Sequence, residues 1–217
     1  MLLHHFHLQS LKFYAAVFPY HRELDAQREI LKGKNKIGTT KRGIGPTYAS
    51  KALRIGLRCG DLADWKSFKE KYDYFVERFK WHNPTEAVQN FDTAKELDQL
   101  RQLYEKFNGK GDRMLVDSID YMNSILKDSS KRIIAEGANA TMLDMDFGTY
   151  PYVTSSSTTI GGVCTGLGVP PQAIETSIGI VKAYTTRVGA GPFPTYLPCE
   201  IGERIQSVGH EWGATTG

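Results

Sequence analysis

The chain has 217 residues, of which 41% are hydrophobic and 24% charged, with a formal net charge of +3. This length supports one large domain or two small ones, and this apolar fraction excludes disorder as the default state. The weak positive balance does not make a nucleic-acid binder, but it leaves room for a local basic patch facing a phosphorylated small molecule.

Residues 1–20 show no clean period. MLLHHFHLQSLKFYAAVF has no cationic opening, and His4, His5, His7 and Gln9 interrupt its apolar residues, so it reads as neither a secretory signal nor a membrane span. HRELDAQREILK, residues 21–32, is a short helix by pattern. The stretch GTTKRGIGP, residues 38–46, follows it. Its glycines allow close backbone approach, Thr39 and Thr40 add hydroxyl donors, and Lys41 and Arg42 supply cations. Successive N–H groups there would form an anion nest, suited to a monophosphate. A P-loop is ruled out, because Ile44-Gly45 stands where Lys and Ser/Thr are required. A flexible basic turn is the competing reading. A helix over 47–58 would place Lys51, Arg54 and Arg58 on one side, either as a solvated stripe or facing another subunit's phosphate site.

From Asp61 to His82 the spacing predicts a helix, with Trp65, Phe68, Tyr72, Phe75 and Phe79 on one face and Asp61 as N-cap. Further helices are predicted over 91–107 and 112–127, giving a helical subregion at about 61–127 whose aromatic stripes read as core. Arg132 to Ala135 reads as a buried strand ending in Glu136-Gly137-Ala138-Asn139. Residues 136–168 are poor in charge and rich in glycine and hydroxyls, the composition of a functional loop. Asn139 can both donate to and accept from a purine amide edge. Asp144 and Asp146 are either metal ligands or turn formers. Pro170-Pro171 opens a predicted helix to about Gly179. Residues 178–184 read as a second core strand, 186–192 as a glycine turn, and Glu200 to Gly209 as a last helix. Buried strand, glycine or hydroxyl loop and helix thus follow one another twice, the α/β arrangement that puts ligands at strand ends. Cys59, Cys164 and Cys199 are widely spaced with no CxxC, which fits a reducing compartment.

GTTKRGIGPTYASKALRIGLR, EGANATMLDMDFGTYPYVTSSSTTIGGVCTGLG, VKAYTTRVGAGPFPT and HEWGATTG resemble, in order and spacing, segments of the adenylosuccinate synthetase family. The resemblance covers about residues 21–217 and is weakest over 63–130. It implies an α/β fold: a P-loop NTPase-like mixed sheet flanked by helices, present here as a single incomplete domain over 1–217. It implies a cytoplasmic ligase of AMP biosynthesis that joins IMP and L-aspartate through a 6-phosphoryl-IMP intermediate, with GTP as a substrate and Mg²⁺ as cofactor. Carried over by position, it implies IMP contacts at Gly38, Thr40, Asn139, Leu143, Thr154 and Val188, with Thr40 on the 5′-phosphate. Arg54 would reach the partner's IMP across a homodimer interface, near Lys51. Thr215, Thr216 and Gly217 would begin the aspartate-receiving loop. Neither nucleic acid nor membrane is an implied partner.

The family's glycine-rich phosphate loop with its catalytic aspartate, and its catalytic histidine, have no counterpart in residues 1–37, where HRELD is a divergent copy of a family pattern. No catalytic residue and no metal ligand is therefore expected in this chain. An internal fragment of poor solubility is the expected state. A non-catalytic remnant that keeps IMP binding and a dimer surface is the alternative, and a generic sugar-phosphate-binding α/β domain is a third.

Overall fold

Aromatic residues three and four apart put one stripe on a helix, and that stripe builds the interior of this protein. The computed structural model describes residues 10–11, 15–108 and 115–210. Helix α1 spans Pro19–Lys32, α2 Ile44–Ala52, α3 Trp65–His82, α4 Glu86–Gln89 and α5 Thr93–Asn108. Helices α6 (Ser118–Lys127), α7 (Ile160–Leu167) and α8 (Glu200–Gly209) follow. Proline at the first position of α1 lacks the N–H that a helix start cannot satisfy anyway. One face of α3 buries Phe68, Tyr72, Phe75, Val76 and Phe79. These pack with Phe18, Tyr20 and Leu24 from α1 and its approach, and with Val88 and Leu100 from α4 and α5. The Tyr20 ring stacks on Phe75 at 4.8 Å between centroids.

Several helix boundaries differ from expectation. Asp64, not Asp61, caps α3, accepting from the backbone N–H groups of Lys66 (3.0 Å) and Ser67 (3.4 Å). Asp61 instead accepts from the Arg58 N–H at 2.7 Å and from Lys71 Nζ at 2.5 Å. Two aspartates three residues apart are equivalent caps by sequence, and the short 3₁₀ turn Cys59–Ala63 decides between them. The predicted helix 47–58 ends at Ala52, because Arg54 turns into the left-handed region (φ 62°). The N–H groups of Ile55 and Gly56 then both close on Ser50 O at 3.1 Å. Arg54 and Arg58 therefore do not share a helix face, and Arg58 pairs with Ala15 in an isolated antiparallel bridge. The helix predicted over 112–127 begins only at Ser118, capped by Asp117 and preceded by a strand. Part of its predicted start lies outside the described residues.

The expected mixed sheet is the largest difference. Among the described residues the sheet consists of β1 (Ser10–Leu11) and β2 (Leu115–Val116), paired in parallel with Ser10 opposite Leu115. The predicted strands 132–135 and 178–184 have no regular structure, and Ile134 and Ile180 are each 93% exposed. A buried strand needs a neighbour on each edge and cover on both faces; neither segment has a ladder partner among the described residues. The predicted helix 171–179 reduces to the 3₁₀ turn Pro171–Ala173. Helix α7, with sequence IGGVCTGL, stands where a loop is expected, because its three glycines mask its pattern. Almost all burial therefore lies before residue 125, with Asp144 and Val169 the buried residues beyond it among those described.

A buried carboxyl sits inside the aromatic core. Glu96 on α5 accepts from the Tyr72 hydroxyl at 2.5 Å, while its other oxygen and the Tyr20 hydroxyl are buried with no hydrogen-bond partner among the described residues. Burial raises the Glu96 carboxyl from 4.5 to about 7, against the opposing pull of the Tyr72 bond. Burial, then Glu96 and Tyr72, also push the Tyr20 phenol up. A carboxyl raised on folding binds its proton more tightly in the folded state, so the Glu96 contribution to stability is fully present below about pH 4.5 and is lost as pH rises through about 7. Glu96→Gln is expected to remove that slope and to be the more stable form at pH 8, by roughly 1–2 kcal/mol after discounting for solvent screening. Thermal melts of both proteins at pH 5 and pH 8 measure it; parallel slopes would refute the assignment.

Candidate ligand-binding site

The loop 37–43 takes its shape from α1. Asp25 and Glu29 lie four residues apart and face the loop from one side of the helix. The Glu29 carboxylate accepts from the backbone N–H groups of Gly38 (2.8 Å), Thr39 (3.2 Å) and Ile37 (3.4 Å), and from Lys32 Nζ at 3.3 Å. Burial acts to raise its pKa, but the bonds from Gly38, Thr39, Lys32 and Ile37 outweigh burial and hold it below the ordinary value. Asp25 accepts from the Thr39 hydroxyl and from the Gly43 N–H, both at 3.0 Å. The nest expected from sequence therefore exists, but its anion is Glu29. Gly43 is a left-handed N-cap (φ 79°), and a Cβ there would lie 2.8 Å from the Arg22 nitrogen, so only glycine lets α2 start this close to α1. His21 is also structural. Its Nδ1 accepts from the Phe18 N–H at 3.0 Å, and burial lowers it to about 4.

The segment 139–158 is organised by Asp144, which is fully buried. Its carboxylate accepts from the N–H groups of Asp146 (2.9 Å), Phe147 (3.0 Å) and Thr158 (2.6 Å). The Phe147 bond leads the causes that lower its carboxyl to about 2, with burial opposing and Thr158 and Asp146 adding to the shift. Asp144 is thus the turn former of the two readings, and the described residues contain no cluster of three potential metal ligands. The Thr154 N–H donates to Leu143 O at 2.9 Å, setting these two predicted contacts side by side. Asn139 is exposed and left-handed (φ 70°), and Thr158 Oγ1 donates to its neighbour, Ala140 O, at 3.1 Å.

The third element is the turn 186–192. Arg187 shapes it: Nε and Nη2 donate to Ala190 O at 3.1 and 2.9 Å, and Nη2 also donates to Tyr152 O at 3.0 Å. This guanidinium ties the turn to the 149–152 segment. The Ala190 N–H then donates to Ile37 O at 3.1 Å. A Cβ at Gly189 (φ 84°) would come within 3.1 Å of the carbonyl oxygens of Ile37 and Gly38. Ser155 Oγ closes the circuit, lying 3.3 Å from where a Gly45 Cβ would stand.

Three segments far apart in sequence therefore meet. The segments that carry Gly38 and Val188 meet through the Ile37–Ala190 bond, Leu143 and Thr154 meet through their own bond, and Gly45 beside Ser155 links the groups. Thr40 is exposed, and among the described residues its hydroxyl makes no hydrogen bond; Lys41 and Arg42 beside it are exposed as well. Arg54 stands apart. It follows α2, whose nine residues span roughly 13 Å from the loop, and its side chain has no polar partner among the described residues. Thr215, Thr216 and Gly217 lie outside the described residues. Asp25, Glu29 and Ser155 were not legible as site residues. The acidic pair at i and i+4 ahead of a glycine loop was the available signal for the first two.

The sequence profile of the adenylosuccinate synthetase family matches residues 12–217. The chain belongs to the adenylosuccinate synthetase family. All three site segments lie inside the matched range. A family member from Paramecium tetraurelia is 57% identical over 195 residues, covering 90% of this chain and 44% of that protein. One from Schizosaccharomyces pombe is 51% identical over 201 residues, covering 93% and 44%. The solved, fully ligated adenylosuccinate synthetase from Plasmodium falciparum is 45% identical and superposes with a TM-score of 0.84 over 93% of this chain and 46% of its own. The fold described above is therefore that of a part of this family's structure, and the chain spans less than half the length of these relatives. Among the described residues no helix is long and apolar enough to cross a membrane.

Proposed function

We propose that this chain supplies the IMP-binding part of an adenylosuccinate synthetase, the ligase that joins IMP to L-aspartate with hydrolysis of GTP in the cytoplasm. The observation that carries this reading is the meeting of loop 37–43, segment 139–158 and turn 186–192 around exposed hydroxyl, amide and apolar groups. In this reading Thr40 bonds the 5′-phosphate, with Lys41 and Arg42 near it. Asn139 takes the purine edge, and Gly38, Leu143, Thr154 and Val188 line the nucleoside. Thr215, Thr216 and Gly217 open the aspartate loop. The family's Mg²⁺ finds no fitting donor set among the described residues, since Asp144 is committed to backbone N–H groups.

The exposed apolar segments 132–135 and 178–184 take up strand positions in the mixed, P-loop NTPase-like sheet of the complete domain, with 61–127 as its helical subregion. Arg54, left-handed, exposed and with no polar side-chain partner among the described residues, serves the IMP phosphate of a second subunit in a homodimer. Arg54→Leu is expected to weaken IMP binding by about tenfold or more, the loss of one charge-assisted bond. Calorimetric titration of IMP at two protein concentrations tests it, because a guanidinium acting from a partner ties affinity to dimerisation. An unchanged IMP affinity removes the cross-subunit role. Equal affinity of the wild-type chain for IMP and ribose 5-phosphate would mean the base is not read, and would sink the function itself.

A further inference from the structure

A nest of consecutive N–H groups attracts an anion, and in a nucleotide-binding loop that anion would be the ligand's phosphate. Here the nest of Ile37, Gly38 and Thr39 already holds one. Glu29 is 5% exposed and is bonded to all three N–H groups and to Lys32, so an incoming phosphate would have to displace a buried, fully engaged carboxylate. Asp25, 8% exposed, does the same at the other end of the loop, through the Thr39 hydroxyl and the Gly43 N–H. Both carboxylates stand on α1, whose Tyr20 and Leu24 belong to the hydrophobic core. The loop is thus anchored to the core through two side chains, and its inward N–H groups are occupied by the α1 carboxylates. The hydroxyl of Thr40 and the cations of Lys41 and Arg42 remain outside.

We propose that Glu29 and Asp25 are positioning residues which, by filling the inner N–H groups of loop 37–43 from α1, pre-form the surface that receives the nucleotide phosphate on its outer side. This rests on the IMP reading above. The carboxylates touch no substrate; they remove the ordering entropy that a mobile glycine loop would otherwise lose at binding.

The test uses the whole chain, with Glu29→Gln and Asp25→Asn, and reads amide hydrogen exchange and IMP titration side by side. Glu29→Gln replaces one acceptor oxygen with an NH₂ facing backbone donors. It is expected to abolish protection at Gly38 and Thr39 and to weaken IMP by about tenfold or more. Asp25→Asn should release Gly43 and weaken IMP in the same direction, and it serves if the Glu29 variant does not fold. Glu29→Asp, which keeps the charge on a shorter arm, should restore part of both losses. Protection at 37–39 unchanged in Glu29→Gln overturns the proposal. So does full IMP affinity in a variant whose loop protection is gone. A wild-type chain without IMP affinity removes the IMP reading instead, and the exchange data still decide whether these carboxylates order the loop.

Discussion

Asp144→Asn is expected to release the 140–158 segment while leaving the helical core folded. The wild-type carboxylate uses one oxygen for the N–H groups of Asp146 and Phe147 and the other for Thr158. An asparagine has only one such oxygen, so whichever way its amide turns, an NH₂ donor faces a backbone donor. The milder orientation breaks the Thr158 link. That link closes the loop on which Thr154 meets Leu143 and Ser155 meets Gly45. Amide exchange should accelerate at Thr158 and Thr154 before it does at Phe68 or Tyr72, and IMP affinity should fall with it. The pH dependence carries a second signature. The Asp144 carboxyl is lowered from 3.8 to about 2, so its stabilisation is present above about pH 3.8 and is lost as pH falls toward about 2. The variant should lack that acid slope. Equal exchange rates at Thr158 in the two proteins would show that Asp144 does not hold the segment.

Phe68→Ala is expected to give the largest loss of global stability, roughly 3–5 kcal/mol. Phe68 is 0% exposed, and its ring meets Trp65 at 5.5 Å, Tyr72 at 6.1 Å and Phe18 at 6.4 Å between centroids. Truncation leaves a cavity among rigid rings that cannot all move to fill it. Because total stabilities run to about 5–15 kcal/mol, such a loss brings the chain close to unfolding. The core includes Tyr20 and Leu24 of α1, so the Glu29 and Asp25 contacts to loop 37–43 are lost in the same cooperative step. Urea titration followed by far-ultraviolet circular dichroism measures the effect. A shift of about 1 kcal/mol or less would mean that α3 does not anchor the core. Together the two substitutions separate a core failure, which removes everything at once, from a site failure, which removes one lobe.

What the amino-acid sequence determined by itself was whatever is encoded within a helical turn or a contiguous motif. Helices α1, α3, α5 and α8 were legible because an α-helix satisfies its hydrogen bonds internally, and its buried face repeats every three or four residues, as Phe68, Tyr72, Phe75 and Phe79 do. The family was legible because its four motifs are long. Tertiary structure alone decided what depends on distant residues. Ile134 and Ile180 have strand composition, but a strand needs a ladder partner from elsewhere in the chain, and composition does not supply one. Three glycines hid α7, and two equivalent aspartates hid the true cap of α3. Sequence leaves open whether Arg187 touches a ligand or only shapes its turn, and the fold ties it to Tyr152 and Ala190. Glu29 looked like one more charge on an amphipathic helix until folding set it under three N–H groups of a loop nearly ten residues away, because a carboxylate's role is fixed by the donors that surround it and not by its neighbours in sequence.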